Sequence, residues 1–285
     1  MNIVFVDSSI QVARTIRDQF TRTRISSWLA RYKLKVTGSV VLQEFKRRVL
    51  RDLAYLLMKL DQTGSYQRTL DHVASVLPFQ QQRKQRICLP VLHQLIQPPA
   101  TDQELTERAR LYLRSLIVNG EKNFIEGYDS IVKDIDCYWA KYPIREKKRY
   151  KDYDFGETRC SKTRGLCQVK NALEGKIAEC QNILAFLNGL PETRITKELE
   201  SARNFLDRIL NQNGIANVHS EEPCLRFGDL LIALESKDFP EFYTMNYRES
   251  QAYCDLQGQE LTIRPNDPGK DEEVHSQESK PWPNP

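Results

Sequence analysis

The chain predicts an α/β protein: a mostly parallel sheet assembled from both ends of the sequence, with a large helical insertion between them. Three observations lead there. Short apolar runs alternate with helical periodicity over residues 1–60. Residues 65–215 carry helical spacing almost throughout. The strand–helix alternation then returns from Gly228 onward. Parallel strands need crossovers, and a crossover accepts an insertion without disturbing the sheet. The expected division is a discontinuous core of residues 1–60 and 215–264, an insertion over 61–214, and a tail over 265–285.

Ile3-Val4-Phe5-Val6 is a β-branched and aromatic run and reads as the first strand. Apolar positions from Ile10 to Tyr32 follow helical spacing, in two pieces. Residues 36–41, rich in β-branched side chains, read as the second strand. From Gln43 the spacing of Phe45, Val49, Leu53, Leu56 and Leu60 becomes helical, which puts Glu44 in the first turn of a helix. Thr101 and Glu104 have the spacing of a capping box. Gly189-Leu190-Pro191 and Asn213-Gly214 mark helix ends, and residues 215–218 read as a short strand. A helix opening at Asp229, strands over 241–244 and 261–263, and a short helix through Ala252 complete the core. Beyond Pro265 the composition is that of a disordered tail.

Asp7, Glu44 and Asp229 each fall where a strand ends or a helix begins. In an open parallel sheet, ligands bind in the crevice beyond the carboxyl ends of the strands. Three carboxylates there repel one another unless a cation neutralises them. Their hard oxygens favour Mg²⁺ or Mn²⁺, ions that commonly act on phosphate esters. Taken singly, each acid also has an ordinary reading as a helix cap, a first-turn acid or a turn residue. The coincidence of three in one crevice favours the metal reading.

Four segments carry a resemblance to a known family: Val4-Phe5-Val6-Asp7-Ser8-Ser9, Ser39-Val40-Val41-Leu42-Gln43-Glu44-Phe45, Gly228-Asp229-Leu230-Leu231-Ile232-Ala233, and Phe242-Tyr243-Thr244-Met245-Asn246. In this order they resemble the PIN-like nucleases. That resemblance implies a three-layer α/β/α sandwich and a Mg²⁺- or Mn²⁺-dependent endonuclease cutting RNA, less often DNA. It implies Asp7, Glu44 and Asp229 as metal ligands, with Glu44 binding the ion or orienting water, and Asn246 at a fourth position. Ser9, Thr244 and Glu249 are the expected supporting residues. Two departures stand out. The stretch from Glu44 to Asp229 is far longer than in compact members, and position 246 holds Asn, which keeps an oxygen but loses a charge. Glu249 or Asp255 are the candidates to supply the missing carboxylate. The alternative is a non-catalytic nucleic-acid- or protein-binding regulator on a degenerate core, acting through its helical region; a structure-specific DNA nuclease is a third.

A net charge of +4 permits nucleic acid without requiring it, so the distribution matters more. Lys46, Arg47 and Arg48 accompany Glu44, and Lys147, Lys148 and Arg149 lie in a strip with tyrosines over 141–153. Both are candidate phosphate-backbone contacts, and both also read as solvated polar faces. The insertion is a candidate site for a protein partner. No P-loop or dinucleotide fingerprint occurs. Ser9 stands where an aspartyl-phosphate phosphatase of the haloacid type needs its second Asp. Cys160 and Cys167 are too widely spaced for a zinc knuckle. Seven cysteines without paired spacing, an N-terminus unlike a secretion signal and no long apolar run predict a cytoplasmic protein with no membrane partner.

Overall fold

The computed structural model describes residues 2–75, 82–96, 100–135, 145–147, 152–154, 169–212, 214–215 and 227–262. Five strands form one all-parallel sheet in the order β3-β2-β1-β6-β7: β1 Ile3–Val6, β2 Leu34–Gly38, β3 Ser130–Val132, β6 Glu241–Tyr243 and β7 Glu260–Thr262. A separate antiparallel pair joins β4 Arg145–Lys147 to β5 Asp152–Asp154. With its abundant helices the chain is an α/β protein whose layout is compatible with an α/β/α sandwich.

Central β1 is apolar throughout because it is covered on both faces; Val4, Phe5 and Val6 are fully buried. Its register pairs Phe5 with Val36 on one side and Phe242 on the other. The rings of Phe5 and Phe242 stack at 5.7 Å, and Trp28 packs on Tyr243 at 4.2 Å. The expected two helical pieces are α1 Ser8–Ile16 and α2 Gln19–Leu29, capped by the side chains of Asp7 and Asp18.

The second strand differs from the expectation. It ends at Gly38, and Ser39–Glu44 form helix α3. This helix continues through a π-helical turn, Phe45–Leu50, into α4 Arg51–Thr63, which stops at Gly64 with φ +63°. Val40, Val41 and Leu42 are buried on every side, so they carry no periodicity to separate helix from strand. Glu44 accordingly lies in the second turn of its helix, not the first.

Helices α5 Tyr66–Ser75, α6 Gln82–His93 and α7 Asp102–Glu126 follow, and α7 packs along α4. The capping box at Thr101 and Glu104 is formed. The segment after α7 returns to the sheet as β3, which pairs with β2. The stretch 61–214 is therefore not one helical block, since it supplies an edge strand of the core. Three residues, Ser130-Ile131-Val132, are too few to show a strand period against the helical signal around them. Helices α8 Val169–Glu174, α9 Ile177–Gly189 and α10 Lys197–Asp207 come next, and α10 runs into a second π turn, Arg208–Gln212. Ile215 is not in a strand; residues 216–218, the strip from 148 to 151, Cys160, Cys167 and the tail lie outside the described residues. Helices α11 Gly228–Ser236 and α12 Tyr247–Gln257 alternate with β6 and β7 as expected. No described helix is long and apolar enough to cross a membrane. The described cysteines Cys88, Cys180 and Cys254 are buried free thiols.

Candidate active site

The strand order reverses at β1. The chain moves from β1 to β2 on one side and returns to β6 on the other. Such a switch point opens a crevice at the carboxyl ends of the strands. Asp7 leaves β1 at that edge, and the segment 244–246 leaves β6 beside it, with the Asp7 amide donating to the Tyr243 carbonyl at 3.0 Å.

Asp7 is buried, and its Oδ2 accepts three hydrogen bonds. Thr244 Oγ1 and Ser9 Oγ donate at 2.7 Å each, and the Ser9 amide at 3.3 Å. The two hydroxyls lie 3.1 Å apart and accept in turn from the amides of Met245 at 2.8 Å and Asn246 at 2.9 Å. Ser9 and Thr244 thus stitch β1 to the loop after β6 through Asp7. The helix-cap role of Asp7 and its place in the crevice are both real, since the same oxygen serves the cap and the cross-link.

Glu44 and Asp229 meet at the start of α11. A Cβ added to Gly228 would sit 2.3 Å from Glu44 Oε1, so the Glu44 carboxylate rests on the glycine that precedes Asp229. Glu44 is 7% exposed and pairs with Arg48, Nη2 to Oε1 3.2 Å. Burial pushes the Asp229 carboxyl up from 3.8 to about 7, and the Asp7 and Glu44 carboxylates push it further in the same direction. Arg48 pulls it back, and Glu249 adds a smaller upward push. Glu249, itself raised by burial, therefore belongs to the acidic group. Asp255 does not: it is held by Arg194 at 2.5 Å and by the Gln251 amide. Asn246 is the residue before α12, its backbone amide bound to Thr244.

Asp7, Glu44 and Glu249 are all close enough to Asp229 to perturb its carboxyl. As they stand, however, no three or more His, Cys, Asp or Glu among the described residues surround a common point at metal-holding distance. The donor chemistry fits a hard divalent cation, which would relieve the repulsion on Asp229. In the arrangement seen, the Arg48 guanidinium supplies the positive charge at Glu44.

Below the acids, Asp7 and Asp229 line a cavity of about 10 Å³ with Ile232, Phe242 and Tyr253. It has room for a single water-sized group. An open groove of about 790 Å³ begins at Phe227, immediately before Gly228, and follows α10 past Ser201, Phe205 and Arg208. Glu198 in that groove is near enough to raise Glu249.

The basic residues divide. Lys46 is only 3% exposed and pairs with Glu121 of α7 at 2.7 Å, so it is not a nucleic-acid contact. Lys46 lies on the helix face that α7 covers, together with Leu42, Leu50 and Leu53. Lys46→Ala is expected to destabilise the protein by on the order of 2 kcal/mol and leave nucleic-acid retention unchanged, as read by urea unfolding and filter binding. Arg48 remains partly exposed beside the acids, and Arg47 is partly exposed too. Lys147 ends β4, and its side chain, like Lys148 and Arg149, lies outside the described residues. Sequence reasoning passed over Arg14 and Tyr128. Tyr128 donates to Gln11 at 2.9 Å, and its phenol is pushed up to about 12, chiefly by burial and also by Asp7. Arg14 stands over its ring at 5.7 Å. The only signal was the position of Gln11 and Arg14 on the helix that Asp7 caps. Comparison of the chain with protein-family models, curated proteins and solved structures finds no match to any of them.

Proposed function

We propose that the protein is a PIN-like, metal-dependent endonuclease that hydrolyses phosphodiester bonds, with RNA as its substrate. One observation carries the reading: Asp7, Glu44 and Asp229, from three separate parts of the chain, gather at the switch point of a parallel sheet, and the gathering raises the proton affinity of Asp229. Asp7 and Asp229 would be the main ligands of Mg²⁺ or Mn²⁺, with Glu44 binding the ion or orienting water. Glu249 supplies the charge that Asn246 lacks. When bound, such an ion acidifies a water molecule and stabilises the leaving oxygen. Ser9 and Thr244 hold the Asp7 carboxylate in one orientation. Arg48, 41% exposed beside Glu44, would neutralise the scissile phosphate as substrate enters. The groove along α10 would take the adjoining nucleotides, and the helices between β2 and β3 offer the surface for a protein partner. The buried free thiols are in keeping with a cytoplasmic setting.

The separation of the carboxylates and the Glu44–Arg48 pair favour a second reading, a regulator that binds RNA without cutting it. Cleavage of labelled single-stranded RNA and DNA in Mg²⁺ or Mn²⁺ separates the two. Asp7→Asn is expected to slow cutting by ~10³-fold, about 4 kcal/mol of barrier. Retention of RNA without cleavage by the wild-type chain would select the regulator.

A further inference from the structure

Another buried carboxylate lies six residues beyond Asp229 on α11. Glu235 is 2% exposed and reaches the junction where β2 becomes α3. It accepts from Ser39 Oγ at 2.6 Å and from the Val40 amide at 3.1 Å. It lies so close to the last residue of β2 that a Cβ on Gly38 would be 1.9 Å from its Oε2. One side chain thereby joins the helix of Asp229 to the start of the helix of Glu44, only five residues before Glu44 itself.

We propose that Glu235 is a positioning residue of the acidic site: it clamps the start of α3 to α11 and so sets the approach of Glu44 to Asp229 across Gly228. Its consequence for cleavage rests on the nuclease reading, whereas the clamp does not.

The clamp has a proton-dependent hydrogen-bond pattern. Ser39 has one hydroxyl proton and two acceptors, Glu235 and the Ile135 carbonyl, each at 2.6 Å. When Glu235 is ionised, Ser39 donates to it and the Ile135 carbonyl loses that donor. When Glu235 is protonated, it donates to Ser39 Oγ and Ser39 donates to Ile135, so all three groups are satisfied. Burial raises the Glu235 carboxyl from 4.5 to about 7; the hydrogen bonds from Ser39, Val40 and the Ile135 backbone oppose this, and Asp134 adds to it. The charged groups around the clamp are Asp134 after β3, paired with Lys176 at 2.7 Å, and Lys237 on the turn after α11, paired with Glu179 at 2.6 Å. Lys176 also donates to the Leu234 carbonyl at 3.2 Å.

Two substitutions test the clamp in the metal-free full-length chain. Glu235→Gln keeps an acceptor oxygen but cannot titrate; Glu235→Leu removes both. Hydrogen exchange of the Val40–Glu44 amides, corrected for intrinsic rates, is read from pH 5 to 8.5. In the wild type, protection is expected to fall as pH rises through about 7. In Glu235→Gln it stays flat, and in Glu235→Leu exchange rises by ~10-fold or more at every pH. In cleavage assays Glu235→Leu is expected to lower kcat by ~10- to 100-fold with KM nearly unchanged, and Glu235→Gln restores most of it. Wild-type protection of α3 in Glu235→Leu overturns the clamp, and a wild-type pH profile identical to that of Glu235→Gln overturns its proton dependence. Should Glu235→Leu fail to fold, Ser39→Ala, which removes the hydroxyl that Glu235 binds, replaces it: unchanged protection of the Val40–Glu44 amides there overturns the clamp. A wild type that cuts nothing defeats the nuclease reading only, because the exchange arm still judges the clamp.

Discussion

Asp229→Asn is expected to abolish metal-dependent cleavage and, in metal-free buffer above pH 7, to make the protein more stable than the wild type. The folded carboxyl titrates near 7 against 3.8 for the free group, so between these values the folded chain holds a proton that the unfolded chain has lost. The contribution of Asp229 to stability is therefore fully present below about pH 4 and is lost as pH rises through about 7. The rise from 3.8 to about 7 sets a ceiling of ~4 kcal/mol, and partial access of Asp229 to solvent reduces the expected loss to on the order of 2 kcal/mol. Asparagine keeps the shape without the charge, so its stability should vary less between pH 5 and 8. Added Mn²⁺ should recover the lost stability in the wild type above pH 7 and have little effect on Asp229→Asn. Urea unfolding at both pH values, with chelator or metal, reads all of this. The same pH dependence in both proteins would show that Asp7 and Glu44 do not crowd Asp229.

Two glycine substitutions should separate site from scaffold. In Gly228→Ala the new methyl collides with Glu44 Oε1, the end of a flexible side chain beside partly exposed Arg48, so Glu44 swings away. Alanine is intrinsically favoured over glycine in a helix, so stability should stay within ~1 kcal/mol of the wild type. Cleavage should nevertheless fall by ~100-fold, because Glu44 no longer meets Asp229. In Gly38→Ala the methyl meets the buried Glu235 carboxyl and, at 3.1 Å, the Phe5 ring in the sheet core. Neither has room to move, so unfolding should become easier by ~2–3 kcal/mol or more. Urea melts and cleavage rates on the same preparations test the contrast. Full activity in Gly228→Ala would show that the Glu44 position over α11 is not needed.

Local order was legible wherever a signal was confined to one segment. The apolar run of β1, the split of α1 from α2, the capping box of α7 and the alternation of α11, β6, α12 and β7 follow from side-chain pattern and cap chemistry over a few residues. The same patterns located Asp7 at a strand end and Asp229 in the first turn of a helix, and they carried the resemblance that marked Ser9 and Thr244 as supporting residues. Asn246 could be marked as a weak fourth position, but the choice between Glu249 and Asp255 waited on which of them Arg194 captures.

What only tertiary structure decided were questions of direction and partner. Val40 and Val41 suit a strand by propensity, yet they are helical because Glu235, distant in sequence, binds the Val40 amide and the Ser39 hydroxyl where the helix begins. Lys46 looked like a surface cation and is internal because α7 packs over its face of the helix and supplies Glu121. Ser130–Val132 became the edge of the sheet because β2 offered it backbone partners that no local pattern announces. The sequence by itself determined which residues prefer to be extended, helical or charged, since those preferences act within a turn or two. Which carboxylates face one another was settled by long-range packing, because burial and like-charge repulsion exist only once distant segments share a crevice.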